Sequence, residues 1–279
     1  MAIRKRFGQH FLEPAWVDKV IRAIDPKPDE AFIEIGPGRG ALTRPLAARA
    51  KTVTAFEIDR DLAAQLTATA PPNLTVVEGD FLGAAARQAM LSLAATNGPR
   101  PTTIDQPPTV RVAGNLPYNV ASPILFALVE LYASGVPLAD ATVMLQREVA
   151  DRLVAAPGGR EYGVLSILIR HAADIDLVLR LPPGAFRPPP KVLSALVRLH
   201  FHPPDPPVAD PAIFAAIVQA VFTRRRKTLA NALLACGDQV PRLKPADALA
   251  AAGLDGTRRP ETLTIGEFAR LADIYADKR

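Results

Sequence analysis

Cysteine is almost absent: Cys236 stands alone among 279 residues, so no internal disulfide can form. Histidine is scarce as well. His10, His171, His200 and His202 are not paired at metal-ligand spacing, so no zinc cluster is expected and no metal is assigned. No run approaches the roughly 20 consecutive apolar residues of a membrane span, and the opening MAIRKRFGQHF lacks the apolar stretch of a secretory signal. Together these absences predict an unprocessed protein of a reducing, cytoplasmic compartment with no membrane contact.

What is present is apolar and mildly basic. Hydrophobic residues make up 49% of the chain, enough for a large domain and a small one. The net charge of +5 is the direction expected for a polyanionic partner, because basic side chains displace counterions from phosphates.

From Ala31 to about Phe201, short β-rich runs alternate with helical patterns, which predicts an α/β fold: a doubly wound, mostly parallel sheet. The expected strands are 31–35, 52–56, 74–78, 109–114, 141–146, 175–181 and 192–201. The last two are joined by PPGAFRPPPK rather than a helix, so they are expected to pair antiparallel at the sheet edge. Residues 84–109, rich in Ala, Pro and Thr, read as an irregular surface insertion. HPPDPPVADP (202–211) carries five prolines in ten positions and reads as a linker between a domain of residues 1–201 and a helical domain of 212–279.

Glu34-Ile35-Gly36-Pro37-Gly38-Arg39-Gly40 follows the first strand directly. Glycines there let the backbone turn tightly and approach a ligand. The GxGxG spacing differs from the GxGxxG of dinucleotide sites. The second strand ends in Glu57, placed to accept hydrogen bonds from both ribose hydroxyls, and the third delivers Asp80 toward an adenine amino group. This order of glycines and acids describes an adenosine pocket.

After the fourth strand comes Asn115-Leu116-Pro117-Tyr118. The adenine N6 lone pair is delocalised into the ring, so methylating it requires acceptors that draw both amino hydrogens out of conjugation. The Asn115 side-chain oxygen and the Leu116 carbonyl can supply them, with Pro117 fixing the turn. Tyr118 offers a ring on which a flipped base can stack, a role that needs the ring and not the hydroxyl.

The segments GQHFL (8–12), EIGPGRGALT, FEIDRDLA, EGDF, AGNLPYNVASPIL, MLQREVADRL, FRPPPKVLSALVRL and FTRRRKTLANAL closely resemble, in the same order, the KsgA/RsmA family of small-subunit (16S) rRNA adenine N6,N6-dimethyltransferases. The resemblance runs from about residue 7 to the carboxyl end. It implies a Rossmann-like class I methyltransferase fold, S-adenosyl-L-methionine as cofactor, small-subunit rRNA in a pre-30S-like particle as partner, and a monomer. It also implies that His10, Leu12, Gly36, Glu57, Asp80 and Asn115 contact the cofactor, together with Gly38 of the glycine loop. Asn115 to Tyr118 match the target-adenine site, and Phe186 the second aromatic that sandwiches the base. Many members carry asparagine in place of His10, and Asp80 and Asn115 lie farther apart here than the family pattern suggests.

Arg224, Arg225, Arg226 and Lys227 begin a predicted helix of the small domain and are expected to grip RNA phosphates. Arg4, Lys5 and Arg6 are candidates for the same role. Rival readings are a large-subunit rRNA adenine methyltransferase of the macrolide-resistance type, a DNA adenine methyltransferase, and a methyltransferase-fold assembly factor without catalysis.

Overall fold

The computed structural model describes residues 10–96 and 110–278. Strands and helices alternate through β1 (Phe11–Leu12), α1 (Pro14–Ile24), β2 (Ala31–Ile35), α2 (Thr43–Ala47), β3 (Thr52–Glu57), α3 (Arg60–Thr67), β4 (Leu74–Glu78), α4 (Ala84–Thr96), β5 (Val110–Asn115), α5 (Ala121–Ala133) and β6 (Leu138–Gln146). There follow α6 (Arg147–Leu153), α7 (Val164–Arg170), β7 (Ala173–Leu181), β8 (Phe186–Arg187) and β9 (Ser194–Phe201). The remainder holds α8 (Pro211–Thr223), α9 (Leu229–Leu233), α10 (Pro245–Ala252) and α11 (Ile265–Ala276).

Seven strands form one sheet in the order β4-β3-β2-β5-β6-β9-β7. The pairs from β4 through β6 are parallel, and β9 runs antiparallel to β6. All seven expected strands exist, with β7 and β9 adjacent at the edge. Central strand β2 is buried from Phe32 to Ile35, which is why AFIEI shows no apolar-polar alternation. Helix α1 packs one stripe, Val20, Ile21 and Ile24, into the core; Pro14 starts it, and Asp25 at φ 53° ends it before Pro26.

The contacts divide the chain at Ala150/Asp151, Ala173/Asp174 and Phe201/His202 into two compact units. The first carries the sheet. The second joins residues 151–173 to everything after Phe201, so the expected division at 201/202 misassigns the α7 segment. The reason lies in packing. Tyr162 and Ile167 are fully buried in the same apolar cluster as Phe214, Ile217, Leu263 and Phe268, and the Tyr162 hydroxyl donates to the Leu263 carbonyl at 2.9 Å. The proline-rich stretch is tied to that unit: Asp205 N–H donates to the His171 carbonyl, and His171 Nε2 meets the Pro206 carbonyl at 2.6 Å. Pro211 is the first residue of α8, capped by the Asp210 side chain.

Two further expectations change. The supposed insertion at 84–109 opens with a regular crossover helix, α4, because AAARQAMLSLAAT is made largely of strong helix formers; residues 97–109 lie outside the described residues, as do Arg4, Lys5 and Arg6. Arg224–Lys227 does not begin a helix. It forms a turn after α8, and α9 starts only at Leu229. Cations suit that position, since the carboxyl end of α8 carries partial negative charge.

Candidate active site

A cavity opens at the carboxyl ends of β2, β3 and β5, the edge where doubly wound sheets bind ligands. Its floor is acidic. Glu57, at the end of β3, is 3% exposed; its Oε2 accepts from Gly38 N–H and its Oε1 from Asp59 N–H, at 2.8 and 2.9 Å. Burial pushes the Glu57 carboxyl above its usual range, opposed by those two amide donors. Each oxygen keeps a second lone pair for ribose hydroxyls.

Glu34 was not among the expected ligands, yet it lines the cavity at 1% exposure, and its Oε2 has no hydrogen-bond partner among the described residues. Burial, opposed by Thr43 and reinforced by the nearby Glu57, raises its carboxyl to about 8, and in its protonated form the group can donate as well as accept. Its signal in the sequence was there: one acid inside an otherwise apolar buried strand.

Two glycines explain the backbone around these acids. Gly38 sits at φ +58°, and a Cβ there would lie 3.2 Å from the Phe11 ring. A Cβ on Gly114 would lie 2.6 Å from the Ile35 carbonyl, so only glycine lets β5 approach the end of β2 and bring the following Asn115 to the cavity.

Asn115 is aimed by an unexpected partner. Its Nδ2 donates to the His10 carbonyl at 2.8 Å, which fixes the amide so that Oδ1 is the group left for a ligand; among the described residues Oδ1 has no donor. The Leu116 carbonyl likewise carries no hydrogen bond among the described residues, while Val120 N–H closes the turn on the Pro117 carbonyl. Tyr118 completes the set. Its ring stacks on His10 with centroids 5.7 Å apart, and its hydroxyl lies 2.6 Å from Ser194 Oγ, a buried group it satisfies. Burial raises the phenol pKa, opposed by that hydrogen bond. The hydroxyl therefore has a job, contrary to the expectation that only the ring matters.

Phe186 is not an open platform. It is 1% exposed in the sheet core, because β8 pairs antiparallel with β1 and sets Phe186 opposite Leu12. Its segment anchors the cavity wall instead: His10 Nδ1 donates to the Pro188 carbonyl at 2.7 Å, Glu13 N–H donates to the Ala185 carbonyl, and Arg187 pairs with Glu13. Leu12, also expected to touch cofactor, lines the cavity at 7% exposure. Asp80 follows β4 beside the end of β3, where Gly79 N–H donates to the Glu57 carbonyl at 2.8 Å; it is exposed, with Oδ1 accepting from Leu82 N–H at 3.0 Å. Thus the structure brings together His10, Leu12, Gly36, Gly38, Glu57 and Asn115–Tyr118 around the cavity, sets Asp80 on the strand end next to Glu57, and buries Phe186 in the core.

Of the basic cluster, Arg224, Arg226 and Lys227 are exposed, Arg224 donating to the Asn231 carbonyl at 3.3 Å, whereas Arg225 is half-buried and donates to two backbone carbonyls of its own unit. Among the described residues no group of three or more His, Cys, Asp or Glu side chains is placed to hold a metal, and no described helix is long and apolar enough to cross a membrane.

The family model described as Ribosomal RNA adenine dimethylase matches residues 1–277. The chain belongs to this family. Relatives agree: the Ribosomal RNA small subunit methyltransferase A of Leptothrix cholodnii is 43% identical over 269 residues, spanning 96% of this chain and 90% of that protein. The protein of the same name from Acinetobacter baylyi is 41% identical, spanning 97% and 91%. Among solved structures, a dimethyladenosine transferase from Plasmodium falciparum superposes with a TM-score of 0.73 at 26% identity, over 96% of this chain and 98% of that one. The 23S rRNA methyltransferase ErmE does so with 0.61 at 27%, over 95% and 99%. The fold is therefore that of the class I methyltransferases of this family, whose cofactor is S-adenosylmethionine.

The cavity fits that cofactor: a buried carboxylate with spare lone pairs at the end of β3, an orphaned carboxyl oxygen at the end of β2 and a glycine loop between them. Glu57→Ala is expected to weaken S-adenosylmethionine binding about 30-fold, roughly 2 kcal/mol, by removing charge-assisted hydrogen bonds. Isothermal calorimetry, run beside a thermal melt to register loosening of the Gly38 loop, reads this directly; unchanged affinity would remove Glu57 from the cofactor site.

Proposed function

We propose that the chain transfers two methyl groups from S-adenosylmethionine to N6 of each of two adjacent adenosines near the 3′ end of small-subunit rRNA. The observation that carries this reading is the Asn115 amide, held by the His10 carbonyl with Oδ1 left open beside the Leu116 carbonyl. Two acceptors side by side suit an exocyclic amine: they draw its hydrogens out of the ring plane and turn its lone pair toward an electrophile. When bound, S-adenosylmethionine supplies that electrophile, a methyl on a sulfonium. Glu57 and the glycine loop hold the donor, the Asn115–Tyr118 turn holds the acceptor base, and positioning does most of the work. Tyr118, braced by Ser194 and backed on one face by His10, offers the base its other face. Phe186 joins a base sandwich only if β8 shifts from the packing described above.

The substrate presented to the enzyme is a pre-30S-like particle, the protein acts as a monomer, and its place is the cytoplasm with a role in ribosome biogenesis. Arg224, Arg226 and Lys227 contact RNA phosphates. The test is incubation with labelled S-adenosylmethionine and undermethylated small subunits, followed by mass spectrometry of nucleosides and primer extension. N6,N6-dimethyladenosine in the small-subunit RNA is the expected result. Modification confined to large-subunit RNA would move the protein to the function that ErmE is named for, and no product at all would leave an assembly factor.

A further inference from the structure

In the turn Arg224–Lys227, Arg224 Nη1 donates onward to the Asn231 carbonyl at 3.3 Å, whereas Arg225 reaches back to a turn much earlier in the chain. Arg225 Nη1 donates to the Arg160 carbonyl at 2.7 Å and Nη2 to the Gly159 carbonyl at 3.0 Å, while Nε lies 3.8 Å from Glu261 Oε2. Glu261 in turn accepts from Gly158 N–H at 2.7 Å through its own carbonyl. A turn 65 and 66 residues earlier in the chain is thus clamped against the arginine turn, within one guanidinium side chain's reach. Arg160, on that earlier turn, has a side chain 96% exposed.

Exposed arginines flank this clamp on both turns. Glu261 faces Arg225, and Glu161 is shared by Arg152 and Arg160, each 3.7 Å away. Arg160 is the more exposed of the two arginines on Glu161, and Arg224, Arg226 and Lys227 are exposed on the turn that Arg225 clamps. Holding exposed like charges within roughly a Debye length of one another, about 10 Å at 0.1 M salt, works against the fold and favours a polyanion.

We propose that Arg160 belongs to the same phosphate-contacting surface as Arg224, Arg226 and Lys227, and that Arg225 is the internal tie that brings it there rather than a contact. The proposal rests on the reading above that this unit grips rRNA. It also changes what the arginine run means: the middle residue builds the surface and a residue far away in sequence completes it.

Salt titrations of the full-length protein binding undermethylated small subunits test this. Arg160→Ala and Arg226→Ala should each lower the slope of log affinity against log salt by about one unit. Arg242→Ala, equally exposed on the same unit but paired with Asp238, should leave the slope unchanged. Arg225→Ala should lower the melting temperature, which Arg226→Ala should not, and adding Arg160→Ala to it should change the slope no further, because Arg160 has already been released. A wild-type slope for Arg160→Ala beside a lowered one for Arg226→Ala overturns the membership of Arg160. Additive slopes for Arg160 and Arg225 make Arg225 a contact and overturn the tie. Wild-type slopes for both Arg160→Ala and Arg226→Ala refute the rRNA reading of this unit, and the proposal with it.

Discussion

Asn115→Ala is expected to slow single-turnover methylation by about 100-fold, on the order of 3 kcal/mol, with the cofactor saturating. The hydrogen bond from N6 to Oδ1 strengthens as the nitrogen becomes tetrahedral, so its loss falls on the transition state more than on RNA binding. The structure adds a second effect. The same side chain donates to the His10 carbonyl, so the truncation also frees the segment His10–Leu12 that walls the cavity. S-adenosylmethionine affinity must therefore be measured in parallel and exceeded in the rate assay. A near-normal single-turnover rate under those conditions would make the Asn-Leu-Pro-Tyr turn structural and the activation of N6 wrong.

Arg111→Ala should destabilise the protein by about 3 to 5 kcal/mol while leaving the cavity residues themselves unaltered. Arg111 lies at the far end of β5 from Asn115. Its guanidinium takes Asp140 through Nε at 3.1 and 3.0 Å, Glu30 through Nη1 at 2.8 Å, and the Ile24 carbonyl at the end of α1 through Nη2 at 2.8 Å. Arg198 adds hydrogen bonds to the Ala23 carbonyl and to Thr142. These two arginines satisfy the carbonyls that the end of α1 leaves open and tie that helix to the sheet. Removing Arg111 takes both close hydrogen bonds from Asp140, whose side chain is only 10% exposed, and leaves it Arg198 Nε, 3.9 Å away, as its remaining counter-charge. Chemical denaturation should show the loss, and replacing Asp140 as well, in Arg111→Met with Asp140→Leu, should recover much of it. A loss below about 1 kcal/mol for Arg111→Ala would mean that the network contributes little beyond its hydrophobic surroundings.

The parts legible in the sequence are those that local chemistry dictates. AFIEI and TVTAFE are strands because β-branched and aromatic residues crowd them, and both proved buried in the sheet. The glycine loop, Glu57 and the Asn115–Tyr118 turn could be placed because each sits at the carboxyl end of a strand whose fold class was already set by the alternation of elements. Glu34 was legible in principle and missed, since an acid beside a glycine loop reads as another solvated carboxylate until its burial is known.

What stayed hidden depends on contacts between residues far apart in the chain. Nothing local ties His10 to Asn115, 105 residues away, or Tyr118 to Ser194, 76 away. Phe186 reads as an aromatic beside a motif, and only its pairing opposite Leu12 turns it inward. Arg225 reads as one more cation in a run, and only the folded turn at Gly159 and Arg160 removes it from that role. The sequence by itself determined the fold class, the cofactor motif and the candidate chemistry, because these follow from short-range periodicity and from motifs a few residues long. Which side chains face the cavity, which are spent holding it, and which unit the segment 151–173 joins were decided by tertiary packing, where burial and long-range hydrogen bonds assign each group its partner.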